Sequence, residues 1–227
     1  MASVLFDLDG TLVETGPDLL AATNGVLAEE GVEPIALEHL GYLVGQGGRA
    51  MLERAFKLRG RAVGEAELDD YVPRFLELYE RSIPGISEPY PGLRNALDRL
   101  EGAGHTLAVC TNKPQEMSVL LLEALDLADR FAAICGPDTF DVRKPNPEHI
   151  WKTIDRIGGD RREAVMVGDS ISDIEAARRA GVPSIGVPFG YSDQPIRELN
   201  PTVVIERFDE LDADLVANLL EKEGADR

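Results

Sequence analysis

The apolar run Val4-Leu5-Phe6 ends in Asp7, Leu8, Asp9, Gly10 and Thr11. Two carboxylates, a glycine and a hydroxyl within five residues suit a chain that binds a cation and turns closely around a small ligand. Side chains of an extended chain alternate between faces, so Asp7 and Asp9 project together while Leu8 points to the core. Like charges held that way at a partly dry strand end repel unless a cation or a shared reacting group lies between them. A divalent metal is the simplest such cation. Gly168-Asp169-Ser170-Ile171-Ser172-Asp173 repeats the pattern after a second apolar run. Asp169 and Asp173 lie one helical turn apart, an acidic pair that costs a few tenths of a kcal/mol unless a cation offsets it. Hard oxygen ligands at a partly hydrated site suit Mg²⁺ rather than zinc. The segment also reads as a helix N-terminus with a Ser170-x-x-Asp173 capping box, and the two readings are compatible.

Two more turns carry polar groups. Thr111-Asn112-Lys113-Pro114 joins an apolar run to a helical pattern, with Asn112 as a candidate cap and Pro114 in the first turn. The N–H groups of such a helix start, with the Thr111 hydroxyl, make an anion site. Lys144 stands in the proline-bounded loop Lys144-Pro145-Asn146-Pro147, where little entropy is lost in holding an ammonium against a phosphate or carboxylate.

The elements that must position these residues follow from periodicity and punctuation. From Pro91 onward helix and strand alternate: helices over 92–102, 115–125, 147–157, 171–180 and 211–220, and strands over 105–110, 131–135, 164–167, 183–187 and 202–205. That alternation predicts an α/β fold, a Rossmann-like, mainly parallel sheet with helices on both faces. Between the first strand and this region, residues 16–83 read as helices without a strand, and Pro73 predicts a kink or break within the helix over 65–81. The expected organisation is a catalytic core of residues 1–15 and 84–227 with an inserted all-helical domain of residues 16–83. Parallel sheets bind ligands beyond the carboxyl ends of their strands, at a topological switch point, and Asp7, Thr111 and Asp169 all fall at such ends.

Composition sets the bounds. At 227 residues and 44% apolar, the chain can bury one large core with a small appended domain. A formal charge of -18 argues against nucleic acid or an anionic membrane surface as partner, and requires local cations to draw in any anionic substrate. Cys110 and Cys135 both lie in apolar runs and read as buried, reduced residues of a cytoplasmic protein. His39, His105 and His149 have no metal-site spacing, and no stretch is long and apolar enough to span a membrane.

In this order, Asp7-Leu8-Asp9-Gly10-Thr11, Thr111-Asn112, Lys144-Pro145 and Gly168-Asp169-Ser170-x-x-Asp173 resemble the four motifs of the haloacid-dehalogenase-like hydrolases. Within them the chain is most similar to the phosphoglycolate phosphatase family, through Val44-Gly45-Gln46-Gly47, Tyr90-Pro91-Gly92, Thr111-Asn112-Lys113-Pro114 and Phe189-Gly190-Tyr191. The resemblance implies an Mg²⁺-dependent phosphomonoester hydrolase that converts 2-phosphoglycolate to glycolate and phosphate, with residues 16–83 as the cap. It implies Asp7 as nucleophile through an aspartyl-phosphate, Asp9 as general acid and base, and Thr111 and Lys144 as stabilisers of the transferring phosphoryl group. The metal would be held by the Asp7 carboxylate, the Asp9 backbone carbonyl and Asp169, with Asp173 positioning it or its waters. Gly10, Thr11, Asn112, Gly45, Gln46, Gly47 and Arg49 would bind substrate, Arg49 as the cation for a substrate carboxylate. The partner is then a small phosphorylated metabolite, handled by a monomer or homodimer.

Glu14-Thr15 and Gln46 depart from the family's common Asp-Ser and Asn. A pyrophosphatase, a sugar-phosphate phosphatase or a phosphoglucomutase-like enzyme would keep every core motif. A receiver-like phosphoacceptor would share the acidic cluster but needs neither Asp9 nor a cap. Gly45-x-Gly47-Gly48 follows no strand and lacks a following Lys-Ser/Thr, which argues against a nucleotide loop.

Overall fold

Ser3–Phe6 (β1) is buried at every residue, as a strand must be when helices cover both faces of a parallel sheet. The computed structural model describes residues 1–45 and 47–225. After β1 come the short β2 (Val13–Glu14) and four helices, α1 (Gly16–Glu29), α2 (Leu40–Leu43), α3 (Gly48–Leu58) and α4 (Glu65–Glu80). The chain continues through β3 (Glu88–Pro89), α5 (Leu93–Gly102), β4 (Thr106–Cys110), α6 (Gln115–Ala124), β5 (Ala133–Cys135) and α7 (Pro137–Phe140). It ends with α8 (Pro147–Arg156), β6 (Ala164–Gly168), α9 (Ile171–Ala180), β7 (Ser184–Gly186), β8 (Val203–Val204) and α10 (Ala213–Ala225).

Six strands form one sheet in the order β5-β4-β1-β6-β7-β8, and every pairing in it is parallel. The chain steps outward from β1 through β4 to β5, then returns to the other side of β1 for β6. That reversal brings the carboxyl ends of β1, β4 and β6 together. Alternation divides the core: Val4 and Phe6 pack with Leu93, Leu97 and Val216, whereas Leu5 packs with Ile150, Ile154 and Ala177 on the opposite face. Helices therefore cover both faces. Cys110 and Cys135 are register partners on β4 and β5, free and buried, and burial pushes the Cys110 thiol up to about 12.

Residues of α1 to α4 bury a second apolar cluster around Leu27, Leu52, Phe56, Phe75 and Tyr79, joined by Met117 and Tyr191 from outside the insertion. No strand occurs among the described residues between β2 and β3, as expected for the helical segment. Those two strands form an antiparallel pair, Val13 with Pro89 and Glu14 with Glu88, where the chain leaves the sheet and comes back. Two residues each are too short for periodicity to reveal. The last strand is likewise shorter than expected, Val203–Val204.

Pro73 does not break its helix: α4 runs without interruption from Glu65 to Glu80. Proline there cannot donate to the Asp69 carbonyl, but Leu68, Tyr71, Phe75 and Tyr79 bury one face of the helix on both sides of it. Packing thus outweighs one missing hydrogen bond. Pro73 itself is exposed. Pro73→Ala should therefore stabilise the protein by about 1–2 kcal/mol, the restored helical bond exceeding the freedom regained by the unfolded chain. Urea unfolding measures this; a lowered midpoint would mean that the proline itself supports the packing.

Candidate active site

Asp7, Thr111 and Asp169 are each the first residue beyond a strand, after β1, β4 and β6. The Asp7 N–H continues the sheet by donating to the Val167 carbonyl (2.9 Å), which fixes the backbone beneath its carboxylate. Asp7 Oδ1 accepts from the Leu8 N–H (2.7 Å) and meets Lys144 Nζ at 3.0 Å. Lys144 Nζ also donates to Asp173 Oδ1 (2.5 Å). The other Asp173 oxygen accepts from the Ser170 N–H (3.0 Å) and the Ser170 hydroxyl (2.6 Å), the capping box read from the sequence. Asp169 accepts from the Thr11 hydroxyl (2.8 Å) and the Tyr191 N–H (2.7 Å). Carboxylate oxygens of Asp7, Asp169 and Asp173 lie within 4.8 Å of one another, and all three residues are buried.

Three buried carboxylates meet one buried ammonium. Burial, then the neighbouring Asp173, pushes the Asp7 carboxyl up to about 7 against the pull of Lys144. Burial, Asp173 and Asp7 hold Asp169 well above the usual carboxylate range, against the Tyr191 N–H and the Thr11 hydroxyl. Lys144 is buried too, which opposes its charge, yet Asp173 and Asp7 hold it protonated above the ordinary lysine value. The excess is negative and the donors are hard oxygens, which a divalent cation fits. The Asp9 carboxylate does not belong to this trio. It accepts from Lys113 Nζ at 3.1 and 3.3 Å.

Close approach of backbone keeps Asp169 in place. Gly10 has φ +82°, and a Cβ there would strike the Asp169 carboxylate and the Tyr191 ring. A Cβ on Gly190 would collide with the same side chain. Tyr191 follows: its N–H binds Asp169, while its hydroxyl donates to Glu14 and accepts from the Gly16 N–H at 2.6 Å. One residue therefore ties the acidic cluster to the start of α1.

A cavity of about 160 Å³ adjoins the cluster at Asp7. Asp7, Asp9, Thr111, Asn112 and Lys113 line it from the sheet, and Gly45, Gly47, Arg49, Phe75 and Tyr79 from the insertion. The Ser172 hydroxyl donates to the Gly45 carbonyl (3.3 Å), a direct contact between α9 and the glycine loop. Gln46 lies outside the described residues. Asn112 differs from expectation: it caps no helix, and its amide exchanges hydrogen bonds with the Lys144 backbone (3.1 and 3.0 Å), locking the two loops together. Helix α6 starts at Gln115, after Pro114, and the Gln115 N–H donates to Asp138 Oδ1 (2.9 Å). The expected anion site at that helix start is thus partly filled by the chain's own carboxylate. The Thr111 hydroxyl, buried, accepts from the Lys113 N–H (3.2 Å). Arg49 lines the cavity, but its guanidinium is bound by Glu65 and Asp69, so its charge already has two carboxylate partners.

Two features were not legible as site residues. Lys113 stands in the sequence only as part of the Thr111-Asn112-Lys113-Pro114 motif, with no role of its own, yet it is buried, with Nζ on Asp9 and 3.9 Å from the centroid of the Tyr79 ring. Tyr191 carried no chemical signal beyond its place after Phe189-Gly190.

Gly190→Ala should push Asp169 out of position and weaken divalent-cation affinity roughly tenfold or more while leaving the fold intact. Titration calorimetry with Mg²⁺, beside circular dichroism, checks this; unchanged affinity would mean that Asp169 does not hold the ion. A pH effect follows as well. In EDTA the folded chain keeps the Asp7 proton up to about pH 7, whereas an unfolded aspartate loses it near its ordinary 3.8. The folded chain binds more protons between those values, so Asp7 contributes stability at low pH that is lost as pH rises from about 4 to about 7. Urea unfolding of wild type and Asp7→Asn in EDTA should therefore diverge across that window, the wild type losing ground as pH rises. Parallel curves would overturn the assignment.

A family model described as haloacid dehalogenase-like hydrolase matches residues 4–187. A phosphoglycolate phosphatase of Agrobacterium fabrum is 51% identical over 221 residues, covering 97% of this chain and 95% of that protein. One of Mesorhizobium japonicum is 47% identical, covering 97% of each. Among solved structures, that of a predicted phosphoglycolate phosphatase from Haemophilus somnus 129pt superposes with a TM-score of 0.84 at 28% identity, over 96% of this chain and 97% of that one. With its four motifs gathered at one sheet edge and the match running through nearly the whole core, the chain belongs to the haloacid dehalogenase-like hydrolase family.

Proposed function

We propose that the protein is an Mg²⁺-dependent phosphomonoesterase that hydrolyses 2-phosphoglycolate to glycolate and phosphate through an aspartyl-phosphate on Asp7. The observation that carries this reading is the placement of Asp7: a buried carboxylate at the sheet's switch point, touched by Lys144, adjoining Asp169 and Asp173, and facing the cavity that Asp9 and Thr111 also line. The names carried by the relatives support the choice of substrate.

In this reading an Asp7 carboxylate oxygen attacks phosphorus, and the bond from phosphorus to the ester oxygen breaks. Asp9, two residues on and lining the same cavity, gives its proton to the departing oxygen. Asp9 then takes a proton from the water that attacks the Asp7 phosphoryl group, which frees phosphate and restores the carboxylate. Lys144 and the Thr111 hydroxyl offset charge on the phosphoryl oxygens, where positioning and electrostatics supply most of the rate. Asp7, the Asp9 carbonyl and Asp169 would hold Mg²⁺, which when bound supplies positive charge to the phosphoryl group. Asp173, whose carboxylate is occupied by Lys144 and Ser170, orients Lys144. Residues 16–83 act as a cap over a core of residues 1–15 and 84–227, and the cavity walls come from both.

Phosphate release from 2-phosphoglycolate, pyrophosphate and glucose 1-phosphate, with Mg²⁺ or EDTA, tests the reading in wild type and Asp7→Asn. The expected result is a preference for 2-phosphoglycolate that disappears in EDTA and falls by roughly 10⁴-fold or more in the variant. Release that survives Asp7→Asn would remove the nucleophile, and preference for another ester would change the substrate while leaving the chemistry.

A further inference from the structure

The cavity is lined by three cations outside the acidic cluster, and they differ in what they are free to do. Arg49 is paired with Glu65 and Asp69 on its own side of the molecule. Arg143 is exposed, where water screens its charge. Lys113 is buried: its side chain is only 4% exposed, and it is the cation nearest Asp9. Its ammonium touches Asp9 on one side and the Tyr79 ring face on another, and Phe75 and Met117 add apolar wall to the cavity it borders. Tyr79 carries a second polar group, near enough to the Lys113 ammonium to interact with it. The Tyr79 hydroxyl is buried and has no hydrogen-bond partner among the described residues. A buried hydroxyl of this kind ordinarily has one.

We propose that Lys113, with the Tyr79 hydroxyl, is the specificity-determining receptor for a substrate carboxylate carried on the carbon next to the ester oxygen, so that the preferred substrates are phosphate esters of 2-hydroxy acids. The argument rests on the reading of Asp9 as the group that meets the departing oxygen. If Asp9 lies within hydrogen-bond reach of that oxygen, Lys113, which is bonded to Asp9, lies within about 6 Å of it, two hydrogen-bond lengths. A carboxylate one carbon from the ester oxygen fits in this interval. An anionic group placed further along a sugar chain overshoots it. The carboxylate then replaces Asp9 as partner of the ammonium and accepts from Tyr79, which satisfies both groups and leaves Asp9 to the departing oxygen. Because Lys113 belongs to the turn after β4 and Tyr79 to α4, the substrate carboxylate would also bridge the sheet and the helical insertion. Arg49, expected from sequence to bind that carboxylate, already has Glu65 and Asp69 as partners.

Steady-state kinetics on 2-phosphoglycolate and ethyl phosphate, which lacks only the carboxylate oxygens, tests this in Mg²⁺. The readout is the ratio of the two kcat/KM values. Lys113→Met should lower that ratio roughly 30-fold or more, and Tyr79→Phe several-fold, in line with losing a charge-assisted and a neutral hydrogen bond. Tyr79→Phe keeps the ring and so remains informative if Lys113→Met does not fold. Moving the carboxylate one carbon outward, in 3-phosphooxypropanoate, should lower the wild-type kcat/KM in the same sense. A Lys113→Met enzyme that loses activity on both esters alike would assign Lys113 to Asp9 alone and overturn the proposal. So would a ratio that falls only in Arg49→Met. Wild type that releases phosphate from neither ester overturns the phosphatase reading as well, so the two failures are distinguishable.

Discussion

Three carboxylates held within 4.8 Å of one another below the protein surface are the constraint to which the rest of the architecture answers. Burial first and their mutual repulsion second favour protons on them, as the raised Asp7 and Asp169 carboxyls show. The chain supplies a single ammonium against them, Lys144, and gives it two of the three as partners. That ion pair neutralises part of the charge and orients the lysine. It also leaves an excess of negative charge that a divalent cation would offset. Such a cluster adds little stability of its own; its value lies in having strong, fixed dipoles and charges ready before a reaction begins.

Keeping the carboxylates in register requires rigid support, which comes from backbone rather than from bulk. The parallel ladder pairs Phe6 with Val167, so that Asp7 follows that pair by one residue and Asp169 by two at the ends of adjacent strands, with the Asp7 N–H bonded to the Val167 carbonyl. Gly10 and Gly190 both allow main chain to come close against Asp169, where any side chain would displace it. The reciprocal bonds of Asn112 with Lys144 join the loops after β4 and before α8. Tyr191 connects Asp169 with Glu14 and Gly16, the residues at which the chain leaves the sheet for the helical insertion. Through these few contacts the acidic cluster and the entrance to the insertion are mechanically continuous.

Charge outside the cluster is arranged on a different scale. With a formal charge of -18 the molecule as a whole repels phosphate esters, so capture must depend on cations at short range. Lys144 on Asp7 and Lys113 on Asp9 provide this, both buried, where a charge acts through little water. Many of the surface arginines are answered by neighbouring carboxylates, as Arg74 is by Glu29, Glu30 and Asp70. The positive potential available to a ligand is thereby concentrated in the cavity.

Much of this was legible from residue types and spacing. Asp7, Asp9, Asp169 and Asp173 could be singled out because carboxylates at the end of an apolar run are chemically anomalous wherever the strands lie. The parallel sheet followed from alternation, and the run of helices between β2 and β3 from the loss of alternation there. The capping box of Ser170 and Asp173 is local, and local chemistry survives folding unchanged. What sequence could not determine depended on distant partners. Asn112 reads as a cap until Lys144 is brought beside it, and Arg49 reads as a free cation until Glu65 and Asp69 take its charge. Pro73 predicts a break that the packing of Phe75 and Tyr79 prevents. Lys113 looks like any lysine in a turn; only the tertiary fold, by stacking Tyr79 over it and setting Asp9 against it, makes it a buried charge facing a cavity. Residue type and spacing thus determined which groups could react, because that is a property of the chain. Which cations remain available to a ligand was decided by the tertiary structure, because it depends on what each charge meets from far along the sequence.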